Sequence, residues 1–177
     1  MTNNDILRRL RYCFDLSDKT MIAIFAQADS QVTREQVSNW LKKEDDVDYQ
    51  SCNDRLMATF LNGFINYKRG RREGDQPKPE SQLSNNLILK KLNIALNLRS
   101  DDVLAILELA GFRLSKHELS AFFRKPGNKH YRECKDQVLR NYLQGLQLKY
   151  RAQPQQTELA PTEPKRATFT WKKPPSQ

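Results

Sequence analysis

The feature that most constrains this chain is a segment that occurs twice. Residues 3–10 read NNDILRRL, and residues 85–92 read NNLILKKL, an offset of 82 residues. At this offset residues 2–69 align with residues 84–151 without a gap, and most identical pairs are apolar or small. Repetition of apolar and small residues at a fixed period predicts a repeated structural unit with a shared pattern of packing.

The repeat divides the chain into segments. We predict a first helical repeat at 1–70, a linker at 71–83 and a second helical repeat at 84–151. The linker contains Pro77 and Pro79 and is predicted to be an exposed connector. Residues 152–177 hold five of the eight prolines and almost no aliphatic side chains, so this tail is predicted to be disordered.

Each repeat is predicted to contain about four helices. The first has apolar residues at Ile6, Leu7, Leu10 and Phe14, a spacing that lines one side of a helix, and Thr2 or Asn3 in repeat 1 or Ser84 or Asn85 in repeat 2 caps it. The second is predicted to start near Asp18 in repeat 1 and Ser100 in repeat 2. Because it is apolar nearly all round, we expect it to be the central helix of its repeat.

The third helix has the clearest start signal. Both TREQ, which begins at Thr33, and SKHE, which begins at Ser115, fit the capping-box pattern. The fourth helix is predicted to begin around Tyr49 in repeat 1 and Tyr131 in repeat 2. No segment alternates with the period of two that a half-buried strand requires, so the fold is predicted to be all-α.

The segment VTREQVSNWLKK has the rhythm of a DNA-recognition helix and follows another helix. The connection between the two helices is longer than the three or four residues of a helix-turn-helix. Trp40 aligns with Phe122, and Tyr49 and Phe60 likewise align with aromatic residues, so we expect these side chains to lie in the core.

Composition limits the chemistry that the chain can perform. Cys13, Cys52 and Cys134 are an odd number of widely spaced cysteines without a CxxC pair, which predicts buried thiols and neither a disulfide scaffold nor a metal site. No apolar stretch has the length of a signal peptide or a membrane span, so we expect a cytoplasmic protein without a membrane partner.

Candidate catalytic residues are few. His117 aligns with Glu35 and is expected to be an ordinary surface histidine; so is His130, although it stands four residues before Cys134 on a possible helix. Asp54 and its equivalent Asp136 are the one acidic position kept by both repeats. A general acid or base is one interpretation, but an acid at a helix start or paired with a basic side chain is the simpler one. We therefore predict no catalytic residue, no cofactor and no enzymatic activity.

Three segments resemble a known family: MTNNDILRRLRYCFDL, VSNWLKKEDD and FLNGFINYKRG. They resemble the bacterial YehS-like family, whose members consist of two copies of one small helical domain of unknown function. The resemblance covers roughly residues 1–151. It implies a bacterial cytoplasmic protein of two domains and supplies no catalytic residues.

Basic residues follow the repeat more closely than acidic ones. Six positions are basic in both copies, against one acidic position. These candidate nucleic-acid-binding residues are Arg8, Arg9, Arg34, Lys42, Lys43 and Arg69 in repeat 1, and Lys90, Lys91, Lys116, Arg124, Lys125 and Arg151 in repeat 2.

The charge surplus lies in the second half of the chain. Residues 1–75 have no net charge, residues 76–150 carry +6 and the remainder carries +3. A basic surface of this kind favours a nucleic-acid partner, DNA or RNA, bound through its phosphates. The alternative is a protein-interaction module whose two units form a pseudo-symmetric groove. The sequence leaves the oligomeric state open.

Overall fold

The computed structural model describes residues 1–151, and the predicted disordered tail lies outside these residues. The described chain is all-helical, as predicted. Repeat 1 contains α1 (Asn3–Cys13), α2 (Asp18–Gln27), α3 (Arg34–Leu41) and α4 (Asp54–Arg69). Repeat 2 contains α5 (Asn85–Ala95), α6 (Ser100–Leu109), α7 (Lys116–Phe122) and α8 (Asp136–Tyr150).

The helix starts follow capping chemistry. Thr33 and Ser115 form the predicted capping boxes. Each side chain accepts from the backbone N–H three residues later, and each cap's own backbone N–H donates to the side chain of that later residue. Thr2 and Ser84 cap the first helices. The second helices begin at Asp18 and Ser100, as predicted. In each case the N-cap is the residue directly before the helix.

The predicted start of the fourth helix was wrong by five residues. It begins at Asp54 and Asp136, because the segment before each helix is held in an extended form by an asparagine of the first helix. The Asn4 amide donates to the carbonyl oxygens of Trp40 and Gln50, both at 2.8 Å, and its oxygen accepts from the Cys52 N–H at 2.9 Å.

Repeat 2 contains the same asparagine network. The Asn86 amide donates to the carbonyl oxygens of Phe122 and Arg132, and its oxygen accepts from the Cys134 N–H at 2.9 Å. Both asparagines are buried, Asn4 with 1% of its surface exposed. A buried amide satisfied at both ends ties the first helix to the loop after the third helix. This explains why the chain repeats its Asn-Asn motif.

The central helix is the fourth of each repeat and not the second, contrary to the sequence-based expectation. In repeat 1, α4 packs against α2, α1 and α5. The closest approach is at Gly63, where an added Cβ would lie 1.9 Å from the carbonyl oxygen of Ile24; at Gly145 it would lie 2.0 Å from that of Ile106. Only glycine allows the backbones of these helices to come so close.

Most of the predicted core aromatics are buried, but Tyr49 and its equivalent Tyr131 are only partly buried, so that part of the prediction was wrong. Trp40 is 7% exposed, Phe122 8% and Phe60 0%, so these aromatic rings belong to the core. All three cysteines are buried free thiols. Six residues connect α2 to α3, which is longer than the turn of a helix-turn-helix.

The two repeats pack through a reciprocal interface. α1 packs on α8 and, at the equivalent surfaces, α5 packs on α4. The carboxylate of Asp136 accepts from the Met1 amino group at 2.7 Å, and that of Asp54 accepts from the Leu83 N–H at 2.9 Å. Met1 and Leu83 are themselves 82 residues apart. The interface therefore has pseudo-two-fold symmetry.

The linker is mostly exposed but is tied to repeat 1. Arg71 forms an ion pair with Asp29 at 2.7 Å, and the side-chain oxygen of Gln76 accepts from the Asn66 amide at 2.9 Å. Further along, Glu80 reaches Lys91 of α5. The linker therefore lies along the first repeat and enters the second beside their interface.

Candidate nucleic-acid interface

The twelve candidate basic residues do not form one surface. They fall into three groups: residues that hold the two repeats together, residues neutralised by neighbouring acids, and exposed cations without a carboxylate partner among residues 1–151. The structure does not bring the three groups together.

Arg69 and Arg151 belong to the interface between repeats. Arg69, at the end of α4, donates to the carbonyl oxygen of Ile94 at 3.3 Å. Arg151, just after α8, donates to the carbonyl oxygen of Tyr12, and its guanidinium lies 3.6 Å from the centre of the Tyr12 ring. Tyr12 and Ile94 are equivalent residues, so both arginines satisfy the C-terminal carbonyls of the partner repeat's first helix. Their recurrence has a structural reason.

Arg9 and its equivalent Lys91 differ in their exposure to solvent. Lys91 is buried: its ammonium group lies 3.0 Å from Glu80 and donates to the side chain of Asn62. Arg9 is partly exposed and lines a cleft between α1 and α8 together with Arg140. Lys91 is therefore a structural cation, while Arg9 remains accessible.

In repeat 1, nearby carboxylates pair with three of the six candidates. Arg8 pairs with Asp5 one turn earlier. Arg34 lies 3.0 Å from Asp18. The Lys42 ammonium group lies 3.2 Å from Asp48. Lys43 is exposed and is the second residue of the acidic loop KKEDDVD. Pairing lowers the field that these cations present to an external anion.

In repeat 2 the acids at the equivalent positions are absent. Asp5, Asp18, Asp46 and Asp48 are replaced by Leu87, Ser100, Asn128 and His130, in that order. The loop KKEDDVD becomes RKPGNKH. As a result Lys90 and Arg124 lack the carboxylate partners of their equivalents in repeat 1, whereas Lys125 is exposed and, within the described chain, unpaired like its equivalent Lys43. No carboxylate oxygen among residues 1–151 lies within 4 Å of the charged nitrogens of Lys90, Arg124 and Lys125. Lys116 alone of the exposed candidates here is paired, with Asp101 at 3.2 Å.

Two equivalent grooves lie at the C-terminal ends of α1 and α5. The first has a volume of about 590 Å³ and the second of about 330 Å³. The first, groove 1, is lined by Arg8, Arg11, Tyr12, Asp15, Leu16, Ser17, Leu41 and Arg151. The second, groove 2, is lined by Arg69, Lys90, Asn93, Ile94, Asn97, Leu98, Arg99, Ser100, Val103 and Phe123.

The charges of the grooves differ although their architecture is shared. Groove 1 contains Asp15, whereas the equivalent residue in groove 2 is Asn97. Groove 2 has three basic side chains and no carboxylate in its lining, and Arg124 follows its wall residue Phe123. The arrangement can hold an anion without breaking an existing ion pair in the lining.

Sequence reasoning missed four cations of this half: Arg99 in groove 2, Arg140 in the α1–α8 cleft, and Lys129 and Arg132 beside α7. None of the four has a basic equivalent in the first repeat, so a search for positions that are basic in both repeats could not find them. Comparison of loop charges between the repeats would have pointed to Lys129 and Arg132.

The structure offers no activated nucleophile at His130 and Cys134. Residues 131–135 are not helical, so the two side chains do not share a helix face. Burial raises the pKa of the Cys134 thiol to about 12, which keeps it protonated at neutral pH. Within residues 1–151, no group of three or more His, Cys, Asp or Glu side chains could hold a metal ion.

No helix among residues 1–151 combines the length and apolar character needed to cross a membrane.

The fold and this surface define a class: a two-repeat, all-helical protein in which one repeat carries an unneutralised basic groove. Residues 3–70 and 85–152 each match the model of a family described as a protein of unknown function (DUF1456), and the chain belongs to that family. It is similar to the uncharacterized protein YehS of Escherichia coli (strain K12), with 44% identity over 147 residues, which cover 82% of this chain and 94% of that protein. No solved structure matches the chain.

Proposed function

We propose that this protein binds nucleic acid, DNA or RNA, through backbone phosphates and without catalysing a reaction. The observation that carries the proposal is the loss, in repeat 2 alone, of the acids that neutralise the equivalent cations of repeat 1. The proposed contact surface, called the basic face, consists of Lys90, Arg99, Arg124 and Lys125.

The physical basis is counterion release. A cation that already has an intramolecular carboxylate must lose that partner before it can bind a phosphate, whereas an exposed cation loses only water and dissolved ions. The basic face therefore offers four phosphate contacts at low cost. Contacts to phosphates do not distinguish base sequences, so the proposed binding is independent of sequence. The cytoplasm expected from the sequence contains both DNA and RNA as partners.

The test measures binding of fluorescent duplex DNA and single-stranded RNA by anisotropy across a salt series. The variant K90A/R99A/R124A/K125A should weaken binding to both. Its slope of log K against log salt on duplex DNA should become less steep by about 0.9 for each lost contact. Circular dichroism checks that the variant remains folded, since all four side chains are exposed.

The matched control changes four candidates of repeat 1, in the variant R8A/R34A/K42A/K43A. It should retain most of the wild-type affinity, because three of these side chains are paired with acids. Equal losses in both variants would contradict the assignment to repeat 2. A wild-type protein without salt-sensitive binding at low ionic strength would refute the proposal as a whole.

A protein partner is the second candidate. It is favoured by the exposed apolar side chains at equivalent places in the two grooves, Tyr12 at 50% and Ile94 at 41% exposure. Apolar contacts at both sites would suit a partner with two similar segments. Such binding would depend weakly on salt and would be lost in the variant Y12A/I94A. The variant K90A/R99A/R124A/K125A would weaken it less.

A further inference from the structure

We propose a second ligand site, a pocket for a small organic phosphomonoester, in the cleft between α7 and the loop that follows it. The pocket has a volume of about 380 Å³, within the range of small-molecule sites. It is lined by Leu114, His117, Glu118, Ala121, Phe122, Lys129, His130 and Arg132. Both histidines of the chain lie here. This site is separate from the basic face and does not depend on the proposed nucleic-acid binding.

The charge of the pocket lining changes in a concerted way between the repeats. His117, Lys129, His130 and Arg132 stand where repeat 1 has Glu35, Val47, Asp48 and Gln50. All four replacements make the same wall more positive. One lining position changes in the opposite direction, from Gln36 to Glu118. Four such replacements around one pocket indicate an anionic ligand more directly than a general excess of surface charge does.

Glu118 keeps its negative charge and offsets part of the positive charge of the pocket, while a hydrogen bond holds its carboxylate at the helix start. It accepts from the Ser115 N–H at 2.7 Å as part of the capping box. That hydrogen bond is the largest cause that lowers the pKa of Glu118, and the nearby charges of Arg132 and His117 lower it further. The carboxylate is therefore fixed at the helix start, with the charges of Arg132 and His117 near it.

Backbone hydrogen bonds hold the pocket walls in place. The Arg132 N–H donates to the carbonyl oxygen of Ala121 at 3.2 Å, and its own carbonyl oxygen accepts from buried Asn86 at 2.8 Å. The His130 N–H donates to the side chain of Asn128 at 2.9 Å. A loop anchored in this way loses little entropy when a ligand binds.

The floor of the pocket is apolar. Ala121 replaces the larger Asn39 of repeat 1, and Leu114 and Phe122 add apolar surface beside it. A cationic rim above an apolar floor suits a molecule with a phosphate group and a carbon body. Inorganic phosphate would use the rim alone, so an organic phosphomonoester should bind more tightly.

The experiment is calorimetric titration of the full chain with adenosine monophosphate, and separately with inorganic phosphate. Adenosine monophosphate should bind saturably with a dissociation constant below about 1 mM, and inorganic phosphate more weakly. The variant H117E/K129V/H130D/R132Q, which carries the repeat 1 residues, should lose at least about tenfold in affinity. The single variant R132Q should lose part of the affinity for adenosine monophosphate. Because it makes only one of the four replacements, its loss of affinity is not open to explanation by a general folding defect.

The control separates the two proposed sites. The variant K90A/R99A/R124A/K125A should bind adenosine monophosphate like the wild type, since none of its changed residues lines this pocket. Equal affinity for both ligands, no saturable binding by the wild type, or undiminished binding by folded variants of the pocket would each overturn the proposal. A wild-type protein that binds adenosine monophosphate but shows no salt-sensitive binding of nucleic acid would count against the basic face alone.

Discussion

Asp54 and Asp136 occupy equivalent places in the two repeats, and each carboxylate joins both repeats. One oxygen of Asp136 accepts from Asn85 in its own repeat at 2.7 Å, and the other accepts from the Met1 amino group at 2.7 Å. Asp54 has the same arrangement with Asn3 and Leu83. The one acidic position kept by both repeats is thus a structural link at a helix start, which agrees with the simpler of its two interpretations.

The first prediction concerns this link. D136A should lower the free energy of unfolding at pH 7 by about 1 kcal/mol, since it removes two hydrogen bonds at a half-exposed site. The hydrogen bonds from the Met1 amino group and, to a lesser extent, from the Asn85 amide lower the pKa of Asp136. A lowered folded-state pKa stabilises the fold above the unfolded value near 4 and loses that contribution as the pH falls. The difference between D136A and wild type in urea unfolding should therefore shrink at acidic pH.

The second prediction concerns the glycine contacts between helices. G63A and G145A should each destabilise the protein by about 3 kcal/mol or more, because the new methyl group would overlap a backbone carbonyl that cannot move alone. Urea unfolding measures the change. The control Q144A alters an exposed residue next to Gly145 and should stay within about 0.5 kcal/mol of wild type. A stable G145A would contradict the close helix contact.

The third prediction concerns the buried asparagines. N4A or N86A should cost about 3 kcal/mol, since each leaves two carbonyl oxygens and one N–H without their partner. N141A is the matched control, because Asn141 bonds only to a carbonyl of its own helix. Hydrogen exchange at the Cys52 and Cys134 amides should accelerate in the respective variants. Unchanged exchange there would show that the network does not hold the extended segments.

The fourth prediction concerns the cysteines. Burial raises the pKa of Cys13, Cys52 and Cys134 to about 12. Iodoacetamide should therefore alkylate none of them quickly at pH 8 in the folded protein and all three in urea. A raised folded-state pKa also means that the stability from the protonated thiols is present below pH 9 and declines as the pH rises from 9 toward 12. Rapid alkylation of folded protein would contradict their burial.

The sequence was sufficient for the repeat, the helical class and the starts of α3 and α7, because these depend on local capping and on periodic apolar residues. The start of α4 depends on Asn4, which lies about 50 residues earlier in the chain, and no local pattern reveals that contact. The retention of Asn3 and Asn4 in both repeats was the available signal, since polar side chains inside an apolar helix face usually have a partner.

The candidate site was harder to predict for an electrostatic reason. Recurrence of a basic residue indicates that its position matters, but Arg69 and Arg151 recur because they bind the partner repeat's carbonyls. The accessible charge depends on neighbouring acids, and those neighbours come from different helices. The pairing of Arg34 with Asp18, for example, joins α3 to α2 and appears only in the folded chain.

The reciprocal interface also has a consequence for how such a protein can specialise. Two identical chains joined about a true two-fold axis would show every substitution twice, so a change that created a positive surface would create its duplicate as well. Covalent fusion removes this obligation while it keeps the geometry. One half can then preserve its internal ion pairs and contribute rigidity, while the other half gives up those pairs and becomes chemically distinct. The equivalent loops KKEDDVD and RKPGNKH differ in this way: the first contains acids that pair with its Lys42, and the second contains none.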